Sequence, residues 1–355
     1  MNPKPLDGIQ VVELGMTEAE GVATLLLSDY GARVTRLLSP ECANEFRICD
    51  RGKERKIYDA NCREDREYVR KLLAQADAVV TSLPDCEMTQ IGLDPQLLCQ
   101  NNEKLVYTSI TPYGQKGPYA ERKSDEAGIQ AESGLVSITG LLHGEPVRCG
   151  GDFAHFSGGV MACIGTLMAL LDAGRNKNGR RLDISMMDTM LFGLENQFSV
   201  FLKSGNVPVP VGNHYALSAP VGDYLCKDGK KLMISVATEM QWKHFSEAVG
   251  HPEWLEREEY RNVSQRIINR EQLEKEVAQT FLAYDSEELI HMLQERTCIY
   301  GRINHFDEVV HHPQSAARHM FMEIQKPDGS RMNIPANPLL RDQLPEEKKI
   351  LHDAN

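Results

Sequence analysis

The sequence predicts an α/β fold: a doubly wound large domain around a parallel sheet, then a smaller α+β domain. Short apolar strands alternate with helix-length segments over roughly the first 150 residues, the pattern of a parallel sheet with crossover helices. A connector crowded with Pro208, Pro210, Gly212, Asn213, Pro220 and Gly222 interrupts the chain, and such clusters mark linkers. Beyond it, two hairpin patterns turn at Asp228-Gly229 and Asp328-Gly329 around helical stretches. The expected organisation is a large domain over 1–205, a linker over 206–221, a small domain over 222–335 and a C-terminal return segment over 336–355.

The elements follow in order. Residues 9–14 read as a buried strand and 20–30 as a helix with Ala23, Leu25, Leu26 and Leu27 on its apolar side. Gly31 is its C-terminal cap, and 33–38 is the next strand; this spacing implies a parallel pair. A charged helix over 63–76, a strand over 77–83, a helix near 94–102 and a strand over 105–110 repeat the pattern. Long helices over 155–174 and 187–205 flank a strand over 181–186. Cys163, Met186, Met187 and Met190 read as core packing. Past the connector come a hairpin over 224–236, helices near 239–249, 270–284 and 286–296, and a second hairpin over 321–334.

Composition narrows the function. The chain has 355 residues, 41% hydrophobic and 25% charged, with a formal net charge of −12. That balance argues against nucleic acid as a partner. No cationic start followed by an apolar core is seen, and no apolar run reaches the roughly 18 residues of a membrane span, so no membrane association is expected. The nine cysteines include no C-x-x-C pair. Reduced thiols in the cytoplasm are expected, with no disulfide frame and no metal site. The turn after the first strand, Gly15 to Gly21, lacks G-x-G-x-x-G and carries Glu18 and Glu20. G-x-x-x-x-G-K-[ST] is also missing, which excludes nicotinamide and P-loop readings despite the sheet.

The stretch from Glu145 to Val160 is the candidate site. It is a Gly-rich loop bearing Asp152 and His155 that runs straight into an apolar helix. Helix N-termini gather free N–H groups that favour anions, and a carboxylate or imidazole there can act as nucleophile or base. The alternative is an ordinary loop with an N-cap. The four cations between Gly174 and Arg181 read as a solvated loop. His311 and His312 close a short helix, His214 is a candidate contact or gate on the connector, and Glu132 is a packing-edge or dimer contact.

Several segments together resemble the class III CoA-transferases (the CaiB/BaiF type, including formyl-CoA and carnitine CoA-transferases). Residues 5–14 and 25–34 look like the family's opening β-α-β. The most specific match is LVYTSITPYGQKGPYAER over 105–122. Residues 130–135, Thr139-Gly140, 179–188, Gly212-Asn213-His214, 307–313, 327–329 and Asn337-Pro338 complete it in order. The resemblance implies a Rossmann-like large domain, a small domain and two chains interlocked as a dimer. It also implies coenzyme A thioester as substrate, with no permanently bound cofactor. In such enzymes an aspartate attacks an acyl-CoA, and the CoA passes through an aspartyl thioester to a carboxylic acid. Candidate CoA contacts on this basis are Thr17, Arg36, Lys53, Ser82 and Leu83.

The chain departs from the family where the chemistry sits. Aligned without gaps from Arg148 to Gly165, the family's aspartate falls on His155, with Asp152 three residues earlier. The family's F-R-P-G is Leu83-Pro-Asp-Cys86, the arginine usual in its next motif is Gln90, and its G-Y-D is Ser124-Asp125-Glu126. The catalytic candidates are therefore His155 and Asp152. The reading is a CoA-transferase acting on an acyl-CoA and a carboxylic acid, as a homodimer. The alternatives are a non-catalytic subunit in a heterodimer with an active paralogue, or an acyl-CoA racemase or hydrolase using His155.

Overall fold

The computed structural model describes residues 4–43, 45–142, 144–215 and 217–339. From residue 340 on, the expected C-terminal return segment lies outside the described residues. Up to the connector the elements are β1 (Gln10–Leu14), α1 (Glu18–Asp29), β2 (Arg33–Leu38), β3 (Glu54–Ile57), α2 (Arg63–Gln75), β4 (Ala78–Thr81), α3 (Asp85–Gln90), α4 (Pro95–Asn101), β5 (Val106–Thr111), α5 (Glu126–Glu132), α6 (Leu135–Ile138), α7 (Phe153–Asn176), β6 (Arg180–Ser185), α8 (Met186–Gly193) and α9 (Glu195–Ser204). The strands form one parallel sheet in the order β3-β2-β1-β4-β5-β6. This is the doubly wound order with its switch point between β1 and β4.

The central strands are apolar because both sheet faces are covered. Val11 and Val34 pack under α1 and α7, while Val12, Leu37 and Val79 pack under α2 and α4. β3 lies outside the expected strands. Its sequence, Glu-Arg-Lys-Ile, is partly to fully exposed, and charge on an edge strand blocks further pairing while hiding the strand pattern. The single helix expected over 187–205 divides at Leu194. Met186 and Met190 are buried and Met187 packs against the same core, as is Cys163. Gly159 lets α7 approach α1: a Cβ there would meet the Ala19 carbonyl oxygen at 2.5 Å and Val22 Cβ at 2.8 Å.

The chain divides into two compact units. The smaller comprises residues 138–147 and 209–310, and the larger takes the rest. The smaller unit carries β7 (Val221–Leu225), β8 (Lys231–Ser235), α10 (Glu239–Ala248), α11 (Val263–Ile268), α12 (Arg270–Leu282), α13 (Ser286–Glu295), β9 (Tyr300–Arg302) and α14 (Phe306–Val310). β7, β8 and β9 form an antiparallel sheet. Stacked Trp242 and Trp254, with centroids 5.7 Å apart, sit in its core.

These boundaries differ from the expected ones at both ends. Residues 138–147 and the connector from Val209 on belong with the smaller unit, where Gly212 N–H donates to the Gly140 carbonyl at 2.9 Å. α15 (Pro313–Ala317) and the antiparallel hairpin β10 (Phe321–Gln325) and β11 (Arg331–Pro335) belong with the larger one. Just past the hairpin, the Asn337 amide donates to Asp29 at 2.9 Å and Tyr30 Oη donates to the Leu339 carbonyl at 3.1 Å. Side-chain bonds bridging some 300 residues leave no local sequence signal.

Candidate active site

α7 starts at Asp152, whose own side chain makes no capping bond. The cap comes from another helix. Glu126, at the first turn of α5, accepts the backbone N–H groups of Ala154 and His155, each at 2.9 Å. These are orphan donors of a helix N-terminus, and a carboxylate there also meets the favourable end of the helix dipole. The same carboxylate lies 2.9 Å from His155 Nδ1. Gln130, one turn along α5, fixes it further by donating to Glu126 Oε1 at 2.8 Å and to the Gly151 carbonyl at 2.9 Å. Gln130 also accepts Cys149 N–H at 3.0 Å, so the loop is clamped onto α5 ahead of the helix.

Glu126 is buried, and burial raises its pKa. Hydrogen bonds from Ala154, Gln130 and His155, with the charge of His155, outweigh that and hold it below the ordinary glutamate range. The carboxylate therefore stays ionised and orients the imidazole through Nδ1. His155 Nε2 has no protein partner among the described residues, its side chain is 14% exposed, and Asp152 is exposed.

Glu126→Gln is expected to cost about 1–3 kcal/mol of stability at neutral pH, since it removes charge-assisted bonds. A carboxylate with a lowered folded pKa stabilises above its unfolded value, about 4.3, and that contribution is lost as pH falls through the folded value. The gap between wild type and variant in urea unfolding should therefore narrow below about pH 4. A gap independent of pH would contradict the role given to Glu126.

A cleft of about 420 Å³ opens at the carboxyl ends of the strands at the switch point, with Leu14, Gly15, Leu37, Tyr58 and Leu83 on its walls. Crevices of this kind are where open α/β sheets bind ligands. Gly15 has φ of +134°, and a Cβ would stand 2.1 Å from Ser82 Oγ. Ser82 Oγ accepts Met16 N–H at 3.3 Å, which ties the two strand ends together.

The five candidate CoA contacts separate. Leu83 lines the cleft and Ser82 borders it. Thr17 turns its hydroxyl to Glu20 and its carbonyl to Arg47. Arg36 and Lys53 require correction, because neither side chain is accessible. Lys53 Nζ donates to Glu13 at 2.7 Å, Thr24 at 2.7 Å and the Gly21 carbonyl at 3.0 Å. Arg36 is held between Glu13 and Asp50. Charge buried beneath α1 must be paired internally, so these cations neutralise Glu13 and Asp50 in place of a ligand. Glu20 is also buried, and burial together with the charge of Glu13 raises its pKa. It therefore does not confront a ligand at the helix start.

The remaining candidates are structural. Glu132 pairs with Arg122 at 2.6 Å. His214 Nδ1 lies 3.1 Å from both Glu274 and the Val221 carbonyl, which ties the connector to α12. His312 caps α15. Among the described residues no cluster of three potential metal ligands occurs. Glu126 escaped the sequence reading because its partners lie 28 and 29 residues away. The one available signal was the acidic third position in Ser124-Asp125-Glu126.

The chain belongs to CoA-transferase family III, whose family pattern matches residues 6–350. It is similar to the crystal structure of a CaiB/BaiF family protein from Brucella suis, with TM-score 0.81 and 30% identity over 93% of this chain and 91% of that one. Among curated relatives, it is 27% identical to succinate–glutarate CoA-transferase of Agrobacterium fabrum, over 96% of this chain and 90% of the relative. It is 26% identical to acetyl-CoA:oxalate CoA-transferase of Acetobacter aceti, over 94% and 88% respectively.

Proposed function

We propose that this protein transfers coenzyme A from an acyl-CoA thioester to a carboxylic acid, with His155 as the catalytic group and Glu126 as its positioning residue. The observation that carries the assignment is the buried, fully bonded Glu126 carboxylate fixed on His155 Nδ1. That arrangement leaves the Nε2 lone pair as nucleophile and stabilises the imidazolium that forms. Nε2 attacks the thioester carbonyl, and the C–S bond breaks to release CoA thiolate. The acceptor carboxylate takes the acyl group from the imidazole, giving a mixed anhydride and free histidine. The thiolate then attacks the acceptor's carbonyl carbon in that anhydride, forming the new thioester and releasing the donor acid. The Phe153 N–H at the start of α7, which Glu126 does not occupy, can stabilise an oxyanion. Asp152, exposed three residues before His155, is the second possible acyl carrier and would give an aspartyl-CoA thioester.

The experiment supplies acyl-CoA donors with succinate, glutarate or oxalate as acceptor, the acids that the curated relatives are named for. Product thioesters and protein adducts are followed by mass spectrometry in wild type, His155→Ala and Asp152→Ala. Loss of exchange in His155→Ala supports the assignment. A CoA-mass adduct on Asp152, with exchange lost only in Asp152→Ala, would overturn it. Thioester consumed without any new thioester would mean hydrolysis.

The working unit in this reading is an interlocked homodimer. α7 leaves Met161, Ile164, Met168 and Leu171 exposed, the last two at 65% and 62%. Their spacing puts them on one helical face, and an apolar stripe that size calls for a covering partner. Sedimentation equilibrium should give twice the 39.9 kDa chain mass, and a stable monomer would contradict it.

A further inference from the structure

The loop ahead of α7 hangs on one side chain. Among the described residues, every hydrogen bond made by Cys149, Gly150 and Gly151 goes to Gln130. Gly150 and Gly151 carry no side chain that could pin the loop by itself.

Gln130 is completely buried, and an amide taken out of water is costly unless its groups are bonded. Here both N–H groups are used, one on Glu126 Oε1 at 2.8 Å and one on the Gly151 carbonyl at 2.9 Å. The same nitrogen lies 3.5 Å from the Cys149 carbonyl. The amide oxygen accepts the Cys149 N–H at 3.0 Å. Turned over, the amide would set its oxygen against a carboxylate and a carbonyl, and its NH2 against an N–H. Only one orientation satisfies the network.

The bonds divide the Glu126 carboxylate between two tasks. Oε1 accepts from Gln130 and from the Ala154 N–H. Oε2 is left for His155, accepting its backbone N–H and facing Nδ1, each at 2.9 Å. A core position does not itself require an amide: Ile129, one residue earlier, is buried with an apolar side chain. What the amide adds is a rigid link between the carboxylate that orients the imidazole and the loop that leads into its helix.

We infer that Gln130 is a positioning residue for CoA exchange: its one amide holds the Glu126–His155 pair and the 149–151 loop as a single unit, which fixes the imidazole in one place and one tautomer. The inference rests on the CoA-transferase reading with His155 as the reacting group. Gln130 acts through Glu126 and through the backbone, and it forms no bond with substrate in this scheme.

The test is steady-state kinetics of CoA exchange by the full-length protein, with the donors and acceptors of the assay above, from about pH 4 to about pH 8. Wild type is compared with Gln130→Leu and Gln130→Glu. Gln130→Leu should lower kcat about 30-fold and leave KM for both substrates within about twofold. Its acid limb should also move to higher pH, because the Gln130 hydrogen bond is one of those that hold the Glu126 carboxyl below the ordinary range. In Gln130→Glu the new carboxyl is buried beside Glu126, so burial and like charge keep it protonated to higher pH than an ordinary glutamate. Protonated, it donates its O–H to Glu126 and still accepts the Cys149 N–H; ionised, it repels Glu126. Its loss relative to wild type should therefore be about 100-fold near pH 8 and shrink to less than about tenfold near pH 5. Should Gln130→Leu misfold by circular dichroism, the pH dependence of Gln130→Glu decides. A Gln130→Leu kcat within about threefold of wild type, a loss carried by KM, or a Gln130→Glu loss equal at every pH would reduce Gln130 to packing and overturn the inference. Wild type that exchanges no CoA would instead overturn the transferase reading beneath it.

Discussion

His155→Ala is expected to lower kcat for CoA exchange by about a thousandfold or more, with little change in KM. In the proposed mechanism the imidazole does the bond-making step, so its loss acts on the transition state and spares ground-state binding at the strand ends. The fold should survive. The backbone N–H of residue 155 continues to donate to Glu126, as does that of Ala154, so only the side-chain bond is lost, worth about 1 kcal/mol. Glu126→Gln should be milder, about 100-fold in kcat, because Nε2 remains but its tautomer is no longer imposed. The pair should be non-additive, with the double variant no slower than His155→Ala, since Glu126 acts through the imidazole. Exchange at more than a third of the wild-type rate in His155→Ala would remove His155 from the mechanism. A double variant slower by the product of the single losses would mean that Glu126 acts on substrate directly.

The legible and illegible parts of this chain divide by physical range. The apolar runs that mark β1, β2, β4 and β5 follow from strands buried on both faces, and the sequence records that locally. β3 was missed because edge strands carry charge, and β9 because three residues hold too little pattern. The loop that runs into α7 was readable as a loop, since its glycines precede a long apolar stretch. The role of Glu126 was not, because it depends on α5 packing beside the start of α7, a tertiary fact. The buried cations show the same limit from the other side. A lysine at position 53 fits a family motif equally well whether its ammonium meets a phosphate or Glu13. Only burial separates the two, and burial of a charge is decided by everything packed around it.

That buried network should dominate stability. Arg36→Leu is expected to cost about 3–5 kcal/mol, because buried Asp50 loses its nearest cation and buried Glu13 is left to Lys53 and Arg47. Glu13 is the most exposed to this loss in energetic terms. Burial pushes its pKa up, and Lys53, Thr24 and Arg47 together bring it below the ordinary range. Arg36 Nε lies 3.4 Å from Glu13 and its Nη1 pairs with Asp50. A leucine of similar bulk fills the space but returns none of this charge. The melting midpoint should fall by on the order of 10 °C. The pH dependence carries a sign. With its folded pKa lowered, wild-type Glu13 contributes stability above the unfolded value, about 4.3, and loses it as pH falls through the folded value. A midpoint within about 1 °C of wild type, against the expected shift, would show the network to be wet and weakly coupled, and would return Arg36 and Lys53 to the list of groups available to a ligand.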